Sequence, residues 1–136
     1  MIARFLRSCL PVALMVTALV TPALGQGTLK IAYIDPLSGG AASAGILGQK
    51  HFNYFADKIN AAGGVNGQKI EVVAFDNKIS PQESLIILKK VIDDGIRYVS
   101  QGNGSLVAHA ITDAVLKHNE RNPGKEVLYL NYAAPR

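Results

Sequence analysis

The hydrophobic positions of the chain switch repeatedly between a strand-like and a helix-like period, and each switch marks an element boundary. Leu29 to Ile34 is a β-rich run that stops at Asp35-Pro36, because proline cannot continue a central strand and holds the residue before it extended. Leu37 to Gly48 is rich in Gly, Ala and Ser and reads as a flexible loop. From about Gly45 the period becomes helical, with Phe52, Phe55, Ala56 and Ile59 forming an inward stripe that Gly63-Gly64 ends. An Asn66-Gly67 turn precedes a second strand, Lys69 to Phe75, stopped by Asp76-Asn77. Ser80-Pro81-Gln82-Glu83 combines a capping hydroxyl, a proline at the first helical position and a glutamate able to reach back to the cap. The helix it starts carries Leu85, Leu88, Val91 and Ile92 on one face and closes at Asp93-Asp94-Gly95. That last turn is acidic, which the helix dipole disfavours, so solvated carboxylates are expected there. Tyr98 to Ser100 is a third strand, and Val107, Ala108, Ile111, Ala114, Val115 and His118 mark a third helix. After a break at Asn122-Pro123-Gly124, Val127 to Asn131 is a fourth strand.

This β-α-β-α-β-α-β alternation predicts an α/β fold, a parallel sheet with helices on both faces joined by right-handed crossovers. Ligands of such sheets bind beyond the carboxyl ends of the strands, near the point where strand order reverses. Three loops lie at that edge: Asp35 to Gly45, Gln101 to Ser105 and Tyr132 to Arg136. In the second, two glycines lead into a helix that Ser105 is suited to cap, so backbone N–H groups are expected to converge where a small anionic group could dock. The local sequence alone favours a plain tight strand-to-helix connection, and it is the place of the loop at the sheet edge that points to a ligand.

Composition narrows the setting. With 136 residues, 49% of them hydrophobic, there is room and core material for one domain. Arg4 and Arg7, an apolar run from Cys9 to Val20 and the small residues of Pro22-Ala23-Leu24-Gly25 predict a signal peptide over residues 1–25, cleaved after Gly25. The apolar run is shorter than the roughly 20 residues of a spanning helix. Residues 26–136 then form the α/β unit in an exported, periplasmic chain. Its single cysteine, Cys9, leaves with the leader, and its formal net charge falls from +4 to +2. Disulfides, thiolate chemistry and nucleic-acid binding are therefore not expected.

Enzymatic signatures are weak. Asp35 and Asp76 both follow strands and could pair for acid–base or Mg²⁺ work, although strand-ending turns explain them as well. His51, His109 and His118 lack metal-ligand spacing, no Gly-x-Ser-x-Gly elbow occurs, and Gly102-x-Gly104-x-x-Val107 has valine where the dinucleotide fingerprint needs a third small residue. The reading is a non-enzyme without cofactor or metal.

Lys30-Ile31-Ala32, Pro36-Leu37-Ser38-Gly39, Ile59-Asn60-Ala61-Ala62-Gly63-Gly64-Val65-Asn66-Gly67, Asp76-Asn77, Pro81 and Asp94-Gly95-Ile96, in that order, resemble the type I periplasmic solute-binding proteins of branched-chain amino acid ABC transporters. The resemblance extends over essentially residues 28 to 134. It implies an extracytoplasmic receptor that closes two α/β lobes on an amino acid or related small carboxylate and presents it to an ABC permease. On this resemblance Ser38 and Gly39 fall in the first ligand loop, and Asn103, Gly104 and Ser105 fall in the loop that offers amides and a hydroxyl to the ligand carboxylate. Tyr132, Ala133 and Ala134 fall in a third contact loop. Ala44, before Gly45, stands where relatives often carry an aromatic ligand contact, a departure from leucine-like specificity. Ile79 and Gly104 stand where some relatives have cysteines, and Pro135 where several have a hydroxyl residue. The Gln101 to Ala110 string is more similar to a subgroup whose ligands are not settled, aromatic or other organic acids among the candidates. Two lobes need roughly 250 residues or more, so the resemblance implies an amino-terminal portion lacking the second lobe. A ligand-sensing receptor ectodomain and a truncated product without activity of its own are the alternatives, the latter because an incomplete sheet exposes an edge.

Overall fold

The structure, a computed structural model, describes residues 27–133. The expected leader with Cys9, and Ala134 with the two residues after it, lie outside that range. The elements are β1 (Thr28–Asp35), α1 (Ala42–Ala61), β2 (Lys69–Asp76), α2 (Pro81–Asp93), β3 (Tyr98–Gln101), α3 (Ser105–Arg121) and β4 (Leu128–Asn131). The four strands form one parallel sheet in the order β2-β1-β3-β4. The expected α/β architecture is therefore present, and strand order reverses beside β1.

Local chemistry explains the boundaries. The Ser80 hydroxyl accepts the Glu83 N–H at 3.3 Å, with Pro81 in the first turn of α2. The anticipated reach of Glu83 back to the Ser80 N–H is not needed, since that N–H donates to the Asn77 carbonyl at 2.8 Å. Gly63 and Gly64 both take positive φ, and the Gly64 N–H closes α1 on the Ile59 carbonyl at 2.9 Å. The other end of α1 departs from expectation: it starts at Ala42, before the Gly45 at which periodicity first appears. Ala42, Ser43 and Ala44 are too small to mark a hydrophobic face, so the pattern does not register their turn. At the end of α2, Lys89 pairs with Asp93 at 2.6 Å and Lys90 with Asp94, all exposed, so the acidic last turn is both solvated and neutralised.

One sheet face carries Ala32, Ile34 and Val99 against Leu88 and Val91 of α2 and Val107, Ile111 and Val115 of α3, closed at the end by Ile96 and Val127. The inward row of α2 is Ser84, Leu88 and Val91, whereas the expected Leu85 is 40% exposed at the rim. Ser84 can be buried because its hydroxyl donates to the Ser80 carbonyl at 2.7 Å, which fixes the helix one position round. The other face receives α1, but only Ala56 of its expected stripe is fully buried, with Phe52 half-buried. Phe55 and Ile59 line an open apolar cleft of about 360 Å³ with Ile31, Ile70 and Val72. On that same face Tyr98, Leu128 and Leu130 are exposed beyond the reach of α1.

Candidate functional site

Because β1 lies between β2 and β3, the chain leaving β1 and the chain leaving β3 diverge, and the carboxyl ends of these two strands are the switch point of the sheet. Ser38 and Gly39 follow β1, Asn103 and Gly104 lead from β3 into Ser105, and Tyr132 and Ala133 follow β4, so all of these collect at one sheet edge. Ala44 does not sit in the loop expected for it: it is exposed in the first turn of α1. Ala134 lies outside the described residues.

A carboxylate belonging to the chain itself organises this edge. Asp35, the last residue of β1, has no exposed surface. Its Oδ1 accepts the N–H of Asn103 at 2.9 Å and that of Gly102 at 3.4 Å, and its Oδ2 accepts the Asn103 side-chain amide at 3.0 Å and the Tyr132 hydroxyl at 2.7 Å. The first two amides of the β3–α3 loop thus point into the molecule, which corrects the expectation that the loop's N–H groups converge on an external anion. Around this centre, the Tyr33 and Tyr132 hydroxyls lie 2.9 Å apart, and Tyr33 donates to the Gly45 carbonyl at 2.8 Å. Buried Gln101 donates to the Asn103 carbonyl at 2.5 Å and accepts from Tyr129 at 2.7 Å. Burial pushes the Tyr129 and Tyr132 phenols up to about 12 and raises Tyr33 further, so all three are neutral hydroxyls at physiological pH.

Asp76 has the corresponding role in the neighbouring strand, β2. It is the register partner of Asp35, but the two carboxylates serve different loops. Asp76 accepts the Ser38 hydroxyl at 2.5 Å and the N–H groups of Leu37 at 2.8 Å and Lys78 at 3.0 Å. Ser38 therefore spends its proton inside the protein and keeps only acceptor capacity. These bonds, the Ser38 hydroxyl first and the Leu37 amide next, lower the Asp76 carboxyl from 3.8 to about 2. A depressed folded-state value stabilises the fold above the unfolded value and stops doing so as pH falls through the folded one. Since Asp76 is solvent-accessible, Asp76→Asn is expected to lower stability by only about 0.5–1 kcal/mol at pH 6. The gap between variant and wild type should close near pH 2, read from urea midpoints at both pH values.

Ser105 is not the cap of α3. Gly104 takes that place with φ 92 and ψ 106, a backbone geometry open to glycine, and Ser105 is the first helical residue with its side chain exposed. Its hydroxyl caps nothing, and the N–H groups of the first helical turn have no intrahelical acceptor. These backbone donors lie at the carboxyl edge of the sheet. Beside them, Ile79 packs on Gly104, so these two positions are neighbours here, with an apolar contact between them. Ile79 also stands at φ 57, held by its N–H on the Asn77 side chain at 2.9 Å.

Sequence reasoning missed Tyr33, Gln101 and the true tasks of Asp35 and Asp76. The available signal was that Tyr33 and Asp35 alternate onto one face of a strand, but nothing local says what lies opposite. Among the histidines, His118 is tied to the Lys125 carbonyl at 3.0 Å, and His109 is exposed. Among the described residues no group of three His, Cys, Asp or Glu is placed to hold a metal ion, and no helix is long and apolar enough to cross a membrane.

Comparison with known proteins gives a consistent result. Residues 28–134 match the family described as periplasmic binding protein. The chain is 47% identical over 106 residues to Leu/Ile/Val-binding protein homolog 4 of Brucella abortus, covering 78% of this chain and 26% of that protein. It is 30% identical over 87 residues to the leucine-, isoleucine-, valine-, threonine-, and alanine-binding protein of Pseudomonas aeruginosa, covering 64% and 23% of the two chains. In structure it resembles the closed conformation of the corresponding binding protein from Brucella ovis, with TM-score 0.74 and 47% identity over 79% of this chain and 27% of that one. A branched-chain amino acid transporter substrate binding protein from Streptococcus pneumoniae, solved in complex with isoleucine, matches with TM-score 0.66 and 26% identity over 80% and 30%. The chain spans about a quarter of the length of the curated relatives it matches.

Proposed function

We propose that this chain, which belongs to the periplasmic binding protein family, supplies the first lobe of an extracytoplasmic solute-binding component of an ABC importer. Its ligand would be a branched-chain amino acid or a related small carboxylate. The observation that carries the reading is the uncommitted Ser105 hydroxyl beside the open first turn of α3, set at the switch point of the sheet. A carboxylate seated there receives a hydroxyl and helix-terminal amides, and Ser38 in the loop after β1 offers a lone pair suited to an ammonium group. The names of the relatives, one of them solved with isoleucine, support the same ligand class. The amino-terminal segment would direct export to the periplasm, and the permease partner follows from the class of transporter. The reading assigns the chain to binding and transport, with no reaction of its own.

Ligand-induced stabilisation tests this. With isoleucine, leucine or valine at about 100 times its dissociation constant, stability should rise by about 2.7 kcal/mol and the melting temperature by several degrees. A panel that includes the matching amine-free organic acids separates an amino acid site from an organic acid site. A cooperative melt that no member of the panel shifts would sink the binding claim, as would a non-cooperative, protease-sensitive chain.

A further inference from the structure

We propose that Asp35 is a positioning residue of the ligand cleft, an internal carboxylate that locks the loops after β3 and β4 onto the end of β1. The proposal rests on the ligand-binding reading above. A buried carboxylate is ordinarily paired with a cation, because removing its charge from water is strongly unfavourable. Asp35 is fully buried, yet among the described residues its partners are all neutral: two backbone amides, one side-chain amide and one phenol. Sheet pairing does not call for this arrangement, since β1 pairs with β2 and β3 through backbone groups. The arrangement instead joins residues 67 to 97 positions away along the chain, and the partners Asn103 and Tyr132 belong to the two loops expected to touch ligand.

The lock has a directional consequence. With the Gly102 and Asn103 amides drawn inward, the chain turns at Gly104, and Ser105 with the first turn of α3 is left at the edge. Tyr132, held by its hydroxyl, stacks beside Tyr33 with ring centroids 6.4 Å apart and packs so closely on Gly102 that a Cβ there would lie 2.1 Å from its ring. Asp35 would therefore act through Asn103, Ser105 and Tyr132 and touch no ligand atom itself.

The test uses the full chain, isotopically labelled, with isoleucine as the probe. Asp35→Asn keeps the side-chain volume but turns one acceptor into a donor, so it opposes either the loop amides or the Asn103 amide group. The expected result is an unchanged sheet signature, amide exchange at Gly102 and Asn103 faster by about tenfold, and isoleucine affinity weaker by about tenfold. Adding Asn103→Asp restores a donor–acceptor match and should return the exchange protection. Unchanged exchange at Gly102 and Asn103 in a folded Asp35→Asn chain would overturn the proposal, and so would faster exchange with unchanged affinity. If Asp35→Asn does not fold, Tyr132→Phe removes one donor alone. It should speed exchange of the Tyr132 amide, which bonds the Gln101 carbonyl at 3.2 Å, and unchanged exchange there would count against the lock. A wild-type chain that ignores isoleucine defeats the ligand reading by itself, while the exchange measurements still decide whether Asp35 holds the loops.

Discussion

Gly45→Ala should destabilise the fold by about 2–3 kcal/mol, although a glycine-to-alanine change inside a helix ordinarily stabilises by up to about 1 kcal/mol. The reversal comes from α1 crossing the chain just after β1. A Cβ at Gly45 would sit 1.9 Å from the Pro36 carbonyl oxygen and 2.8 Å from its carbon, and these are backbone atoms of a buried residue that cannot rotate away. Relief requires α1 to move off the sheet. Since the Gly45 carbonyl accepts the Tyr33 hydroxyl, the shift would also reach the tyrosine pair beneath the site. Gly40 is the control, because a Cβ there meets nothing within 4 Å, and Gly40→Ala should be close to neutral. Urea denaturation reads both: a lower midpoint at constant slope for Gly45→Ala and little change for Gly40→Ala. Equal or raised stability in Gly45→Ala would mean the helix does not approach Pro36 as described.

Ser105→Ala should separate binding from folding. The hydroxyl holds no partner in the cap of α3 and is exposed, so its removal should change stability by less than about 0.5 kcal/mol. A hydrogen bond to a charged carboxylate is worth more, about 1.5–3 kcal/mol, so isoleucine affinity should fall by about ten- to a hundredfold. Titration calorimetry with a parallel melt measures the two quantities on one sample. An unchanged affinity would place the ligand carboxylate on the helix amides alone. A loss of stability that matches the loss of affinity would show the residue to be structural.

These two residues illustrate how far the sequence could be read. The β-rich runs, the Ser80-Pro81 helix start, the Gly63-Gly64 stop and the β/α alternation each carry their own local cause, and each stands in the structure where the pattern put it. The edge at which the loops after β1, β3 and β4 gather follows from topology, which the alternation already implies. Errors appear where the cause is not local. The start of α1 was invisible because Ala42, Ser43 and Ala44 have no hydrophobic face, and Leu85 yielded its inward place to Ser84 because a hydroxyl found a carbonyl one turn back. Phe55 and Ile59 have the right spacing for burial, but spacing cannot say how much of the facing surface a neighbour covers.

The chain's own residues therefore determined the class of fold, the order of its elements and the edge where function collects, because period, caps and turn chemistry act over a few residues. Only the tertiary structure decided which polar groups at that edge are paired inside the protein. Asp35 and Asp76 draw in the amides of Gly102 and Asn103 and the hydroxyl of Ser38, leaving Ser105 and the first turn of α3 open. Those hydrogen bonds join residues 38 to 68 positions apart, and no pattern along the chain specifies a donor–acceptor pair that forms only when three strands lie side by side.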